Sequence, residues 1–348
     1  MVKNPFEGKW APVPKKGGFH MPGYHIWCGS PIADEDGTYH LFAAGWDARY
    51  GFDFNWLLRG KLIHAISNTP EGPYEFHSFV LGERDHKYFD ARNQLCPYIM
   101  KYKDTYYLYY YGTTYGGDAP VSDGKLSRGR FVEIWNKKRI GLATSKSLYG
   151  PWERRDTPLL EPRDERYWDC TITTNPSVAL LPDGKCYMIY KSRRNSDSPL
   201  QLGIAVADQP EGPFRRLTDD PIFQFENPKW WVEDPCLWYQ DGKFHLLMKD
   251  DVRDDSGGIT GEWGCGVYAQ SDDCIHWEIA EHPKGYSRTL HWDDGSTTTQ
   301  CHLERPCFLF QDGKPTHLFA ATGTGSVPWE FEGETWNVCM PLIPESDS

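Results

Sequence analysis

Six ionisable residues of this 348-residue chain stand where they could serve acid–base chemistry. Glu233 and Asp234 directly precede Pro235 in VEDPCLW, and Glu304 precedes Arg305 and Pro306 in CHLERP, with His302 two residues upstream. Asp90 in KYFDARNQLCP and Asp169 in RYWDCTITTNP each lie seven residues before a proline and directly after an aromatic residue. Carboxylates held close together push their pKa values apart, so that one keeps a proton while another activates water or attacks. Glycosidic bonds are cleaved by such a pair. Aromatic rings would supply stacking faces for a sugar, and Trp27, Trp46 and Trp168 fall near the same positions as the acids. Each has a bland alternative: an Asp that caps a loop, a buried histidine, or a tryptophan that packs between sheets.

Those positions follow from a repeat. A proline opens a short apolar strand at Pro31, Pro97, Pro176, Pro235 and Pro306, and a Gly- or Asp-containing turn leads each into a second strand. The intervals of 66, 79, 59 and 71 residues suit a four-stranded blade with variable loops. A further strand pair joined by a turn follows in IHAISNTPEGPYEF, IGLATSKSLYGPWER and LGIAVADQPEGPFRR. One blade cannot bury both faces alone, so repetition predicts an all-β, five-bladed β-propeller over residues 1–348, with blades beginning near 30, 96, 175, 234 and 305. The fifth copy lacks a fourth strand after TWNVCMPL, and the stretch around Gly8–Pro14 is expected to close the ring.

Propeller topology gathers the residues before each anchoring proline, and those after each second strand, around one depression. The second group includes Trp46, Asp47, Lys191, Arg193, Arg194, Lys249, Asp250 and Asp251. Strand alternation would aim only one of Glu233 and Asp234 fully into the pocket. Arg305 could pair with Glu304, and basic residues lining the pocket would favour an anionic sugar or a phosphate. The basic stretch 125–139 reads as an exposed flap without chemistry.

A net charge of −12 argues against a nucleic-acid partner. No apolar run is long enough to span a membrane. The first residues lack the apolar core of a signal peptide, which points to the cytoplasm unless a leader has been removed. Ten cysteines without CxxC spacing read as reduced core thiols, with disulfides in an exported protein as the alternative. No spacing supports a metal site and no cofactor is expected, although an ion in a central channel would leave no sequence signal. No feature of the sequence specifies an oligomeric state.

The five-bladed plan, the repeated Gly-Pro-aromatic turn and VEDPCLW resemble the family-43 glycoside hydrolases, and the family-117 enzymes look similar, across roughly residues 24–342. The resemblance implies an exo-acting, inverting hydrolase of plant or algal oligosaccharides. In the family-43 pattern a first-blade Asp before proline is the base; here that blade reads CGSP, so Asp90, Asp169 or Asp47 would have to serve. Glu304 or Glu233 would then be the acid, and Asp234 would orient the sugar and tune the pair. The family-117 pattern recruits a histidine as acid, a part open to His302 beside Glu304. Two other functions stay open: a phosphorylase with a basic cradle of Arg193, Arg194, Lys249 and Arg305, and a sugar-binding propeller without catalysis.

Overall fold

The computed structural model describes residues 2–117, 126–252, 258–325 and 330–344. Four antiparallel sheets of four strands and one of three form the blades. Their innermost strands are Tyr24–Ala33, Asn93–Tyr102, Thr174–Leu180, Val232–Gln240 and Glu304–Gln311. Among the described residues the turn-rich sequence leaves only two short α-helices, Asn55–Leu58 and Arg128–Trp135, both in loops between the second and third strands of a blade.

Alternation along each strand feeds two cores at once. On the third strand of blade 1, Ile63 and Ala65 face Leu309 and Phe319 of blade 5, whereas Leu62 faces Ile99 and Leu108 of blade 2. Similar clusters fill the other interfaces between neighbouring blades. Both faces of a blade are therefore buried, which is why a single copy could not stand alone.

The N-terminal segment closes the ring without forming a regular fourth strand. Isolated antiparallel bridges join Trp10 to Leu342 and Phe19 to Asn337, along the edge of Thr335–Pro341. Ala11 N–H donates to the Pro341 carbonyl at 3.0 Å, and Phe6 inserts among Trp10, Trp238, Tyr268 and Phe308. This satisfies the open edge and seals the joint between blades 4 and 5.

Each innermost strand carries a β-bulge where it reaches the mouth of the ring, and the bulged residue takes a left-handed backbone. These residues are Cys28, Cys96, Asn175, Asp234 and Arg305, at φ of 52°, 50°, 51°, 55° and 59°. The first copy is thereby corrected: its counterpart to Cys96-Pro97 is Cys28-Gly29, two residues before Ser30-Pro31. A proline was the visible marker in four blades, but the bulge is the recurring geometry, and Gly29 satisfies it equally well. Left-handed non-glycine residues cost on the order of 1–3 kcal/mol each, so five in one ring place strain at the channel.

Blade 1 also buries a histidine pair. His40 Nδ1 lies 2.8 Å from His64 Nε2, and His64 stacks on Phe42 at 4.7 Å. Burial first, then the neighbouring His40 and His77, push the His64 pKa down to about 3. Below its ordinary pKa near 6.5 the unfolded chain takes up a proton that the folded chain refuses, so stability falls as pH drops from about 6.5 toward 3. His64 alone is expected to lower the unfolding free energy by about 2 kcal/mol between pH 7 and pH 5. Urea unfolding at both pH values checks this, because His64→Gln should remove that part of the difference. Identical differences in the two proteins would rule His64 out.

Candidate active site

The bulges decide what faces the channel. In blade 4 the register shifts between Glu233 and Cys236, and Asp234 turns through its left-handed conformation. Consecutive side chains then reach the same ammonium: Lys191 Nζ donates to Glu233 Oε2 at 2.9 Å and lies 3.5 Å from Asp234 Oδ1. The expected alternation fails here because a bulge puts two successive residues opposite one on the neighbouring strand.

Asp234 is held from the two neighbouring blades, 3 and 5. Arg305 and Lys191 pair with its Oδ1, and Asn175 Nδ2 donates to the same oxygen at 3.1 Å. Its Oδ2 is buried and accepts from no described residue. Arg305 therefore pairs with Asp234, not with Glu304 as its neighbourhood in the sequence suggested.

Glu304 occupies in blade 5 the place of Glu233 in blade 4, one residue before the bulged position. Lys249 spans the two, 2.7 Å from Glu304 Oε1 and 4.0 Å from Glu233 Oε2. His302 Nδ1 lies 3.1 Å from the same Glu304 oxygen. Burial acts to raise the Glu304 carboxyl, but Lys249, His302 and Arg305 outweigh it and hold it well below the usual carboxylate range. Burial likewise opposes the charge on Lys249, but Glu304, Asp251 and Glu233 overcome it and raise its pKa well above normal. Glu304 is therefore ionised, and an ionised oxygen at this distance accepts a hydrogen bond from Nδ1–H.

Aromatic rings enclose the cluster. His302 meets the edges or faces of Trp27, Trp263 and Phe331 at 6.3, 5.1 and 5.5 Å between centroids. Asp251 accepts from Trp231 Nε1 at 2.5 Å and Trp263 Nε1 at 3.1 Å, and so fixes both indoles beside Lys249. Beneath the mouth, a cavity of about 40 Å³ is lined by the five bulged residues. There the Cys28 and Cys96 sulfurs sit 3.3 Å apart. Burial alone would raise the Cys96 thiol, but Cys28 and Arg305 bring it down to about 7. All ten cysteines are free.

The remaining sequence candidates lie elsewhere. Asp90 accepts from Arg84 Nε at 2.7 Å and the Tyr110 hydroxyl at 2.6 Å, with Arg154 at 3.5 Å. Asp169 repeats the arrangement with Arg163 Nε at 2.6 Å, the Tyr190 hydroxyl at 2.8 Å and Arg216. Arg154 and Arg216 belong to outermost strands, so these aspartates tie a blade to its incoming loop, away from the channel. Their matched spacing reflects a matched latch. Asp47 caps a short 3₁₀ turn by accepting from Arg49 N–H at 3.0 Å. Trp46 is wholly buried against His25 and Phe52. Trp168 stacks on Tyr190 and lines a separate cavity of about 330 Å³ between blades 3 and 4, with Phe223, Phe225, Trp230 and Trp231.

The basic cradle is divided as well. Lys249 and Arg305 are committed to carboxylates, and Arg194 is exposed, donating to the Arg166 carbonyl. Among the described residues, no group of three or more potential ligands is placed to hold a metal ion, and no helix is long and apolar enough to cross a membrane. Sequence reasoning missed Trp231, Trp263 and Lys138, which lie in linking loops without repeat register.

No protein-family model and no curated protein matches the chain. Solved structures do. Zg3597, a family 117 glycoside hydrolase of the marine bacterium Zobellia galactanivorans, superposes with a TM-score of 0.64 over 96% of this chain and 90% of its own, at 15% identity. The chain shares the fold of five-bladed glycoside hydrolases. The catalytic domain of a family 62 α-L-arabinofuranosidase of Coprinopsis cinerea gives 0.60 over 98% of both chains, at 11% identity. The arabinanase Arb43A of Bacillus subtilis gives 0.53 over 91% and 96%, at 14%. At these identities the likeness is one of fold.

Proposed function

We propose that the protein is a glycoside hydrolase, exo-acting and inverting, that takes oligosaccharides of plant or algal origin. The observation that carries this reading is the pair Glu233 and Glu304, set at equivalent places in adjacent blades and both reaching Lys249 inside an aromatic enclosure. Glu233 is the more accessible of the two, at 6% against 1%, and is assigned as the base that activates water. Glu304, kept ionised, holds His302 by Nδ1 and so can stabilise an imidazolium, which assigns His302 as proton donor to the leaving oxygen. Asp234, fixed through Oδ1, keeps Oδ2 as an acceptor for a sugar hydroxyl. Asp90 and Asp169 take no part, because arginines and a tyrosine already occupy their oxygens. The enclosed setting of Glu233 favours a chain end over an internal linkage.

The test is a product screen by mass spectrometry over neutral and anionic oligosaccharides, with and without phosphate. A released monosaccharide, independent of phosphate and first formed as the inverted anomer by NMR, is expected. A sugar phosphate would instead establish a phosphorylase, and binding without cleavage would establish a lectin-like propeller.

A further inference from the structure

The mouth has a second wall that this mechanism leaves unused. Lys138 is the last residue but one of the basic stretch 125–139, whose first residue lies outside the described residues. Far from forming an exposed flap, the end of this stretch folds inward: Lys138 is 4% exposed. Its ammonium lies 3.7 Å from the centroid of the Trp135 ring, 4.6 Å from that of Trp56 and 4.8 Å from that of Tyr111. Among the described residues, no carboxylate comes within ion-pairing distance of it. Arg193 approaches the same Trp135 ring at 5.0 Å and is 8% exposed. Among the described residues it donates to the Ser196 carbonyl at 3.4 Å and Asn136 Oδ1 at 3.2 Å, and its buried Nε has no partner.

Charge is thus distributed unevenly around the mouth. Glu233, Asp234 and Glu304 each face a lysine or arginine, whereas Lys138 and Arg193 form no ion pair among the described residues. A buried unpaired charge is costly, and cation–π contacts offset only part of that cost. Burial first, then the Lys191 charge, hold the Lys138 pKa well below its ordinary value. An arriving anion would remove this penalty, and the rings of Trp56, Trp135 and Tyr111 would pack against whatever carries it.

We propose that Lys138 and Arg193 bind an oxyanion borne by the sugar itself, a uronate carboxylate or a sulfate ester, so that the substrate is an acidic oligosaccharide. The inference rests on the hydrolase reading for its choice of a sugar. The aromatic surround favours a sugar-borne anion over free phosphate, which offers no apolar face to these rings.

Calorimetry on the whole protein tests it, with glucuronate, galacturonate and galactose 6-sulfate each set against glucose or galactose, and with inorganic phosphate alongside. At least one acidic sugar is expected to bind about tenfold more tightly than its neutral twin. Lys138→Met should abolish that advantage, Lys138→Arg should restore part of it, and Arg193→Met should weaken it. Equal affinities within each pair, failure of every acidic sugar to bind, or a preference that survives both methionine variants would overturn the inference. So would phosphate binding that depends on Lys138 while acidic sugars are ignored, since the anion would then be a co-substrate. The two readings fail separately. Cleavage of neutral oligosaccharides without acidic preference keeps the hydrolase and removes this subsite, and Lys138-dependent binding without cleavage does the reverse.

Discussion

Glu233→Gln is expected to lower turnover by about 10²–10⁴-fold, the range for losing one positioned acid–base group, while the protein remains folded. The replacement keeps the side chain's shape, and Lys191 retains Asp234 Oδ1 at 3.5 Å, so the local network survives with one charge fewer. The water that Glu233 would activate loses its proton acceptor, because an amide cannot take the proton. Turnover on the substrate found by the product screen, read beside thermal unfolding, is the measurement. A variant that keeps more than about a tenth of wild-type turnover would remove Glu233 from the reaction, since general-base catalysis is worth more than that.

Asp169→Asn should show the opposite profile. Its carboxylate is wholly buried between Arg163 and Arg216 and accepts from the Tyr190 hydroxyl. Loss of its charge leaves Arg216 without its counter-ion, while Arg163 keeps Asp219 at 2.5 Å. Breaking a buried pair in this way costs about 3–5 kcal/mol. The arginines are partly exposed, at 14% and 15%, so water screens part of the penalty and the lower end is expected. Urea unfolding should reveal the loss, while kcat/KM of the folded fraction stays close to wild type. Full stability combined with lost turnover would return Asp169 to the catalytic candidates.

These two residues show how far the sequence could be read. Asp169 and Asp90 share a register because the repeat builds the same latch twice. Glu233 and Glu304 share one because the repeat aims both at the channel. Equal spacing cannot separate those cases. Only the partners can: the turns of IGLATSKSLYGPWER and LGIAVADQPEGPFRR mark the outermost strands that carry Arg154 and Arg216, but nothing in the sequence says that these arginines reach Asp90 and Asp169. The case of Asp234 is similar: period-two alternation is a rule of regular strands, and a bulge suspends it at the one place that matters. Pro31 misled for the same reason, since the proline is a frequent companion of the bulge and not its cause.

Lys138 is the clearest example of what spacing hides. In the sequence it is one lysine in a run of basic residues, and such runs are usually solvated. In the fold it lies under three rings, because the loop carrying Trp135 turns back over Tyr111. The repeat of apolar strands and turns determined the five blades, their order and the closing role of the N-terminal segment, because burial of two faces per blade is a demand that periodic sequence expresses directly. Which charges meet was decided by the tertiary structure alone. Ion pairs such as Asp234 with Arg305 and Glu304 with Lys249 join residues 71 and 55 positions apart, across bulges and loops that obey no period.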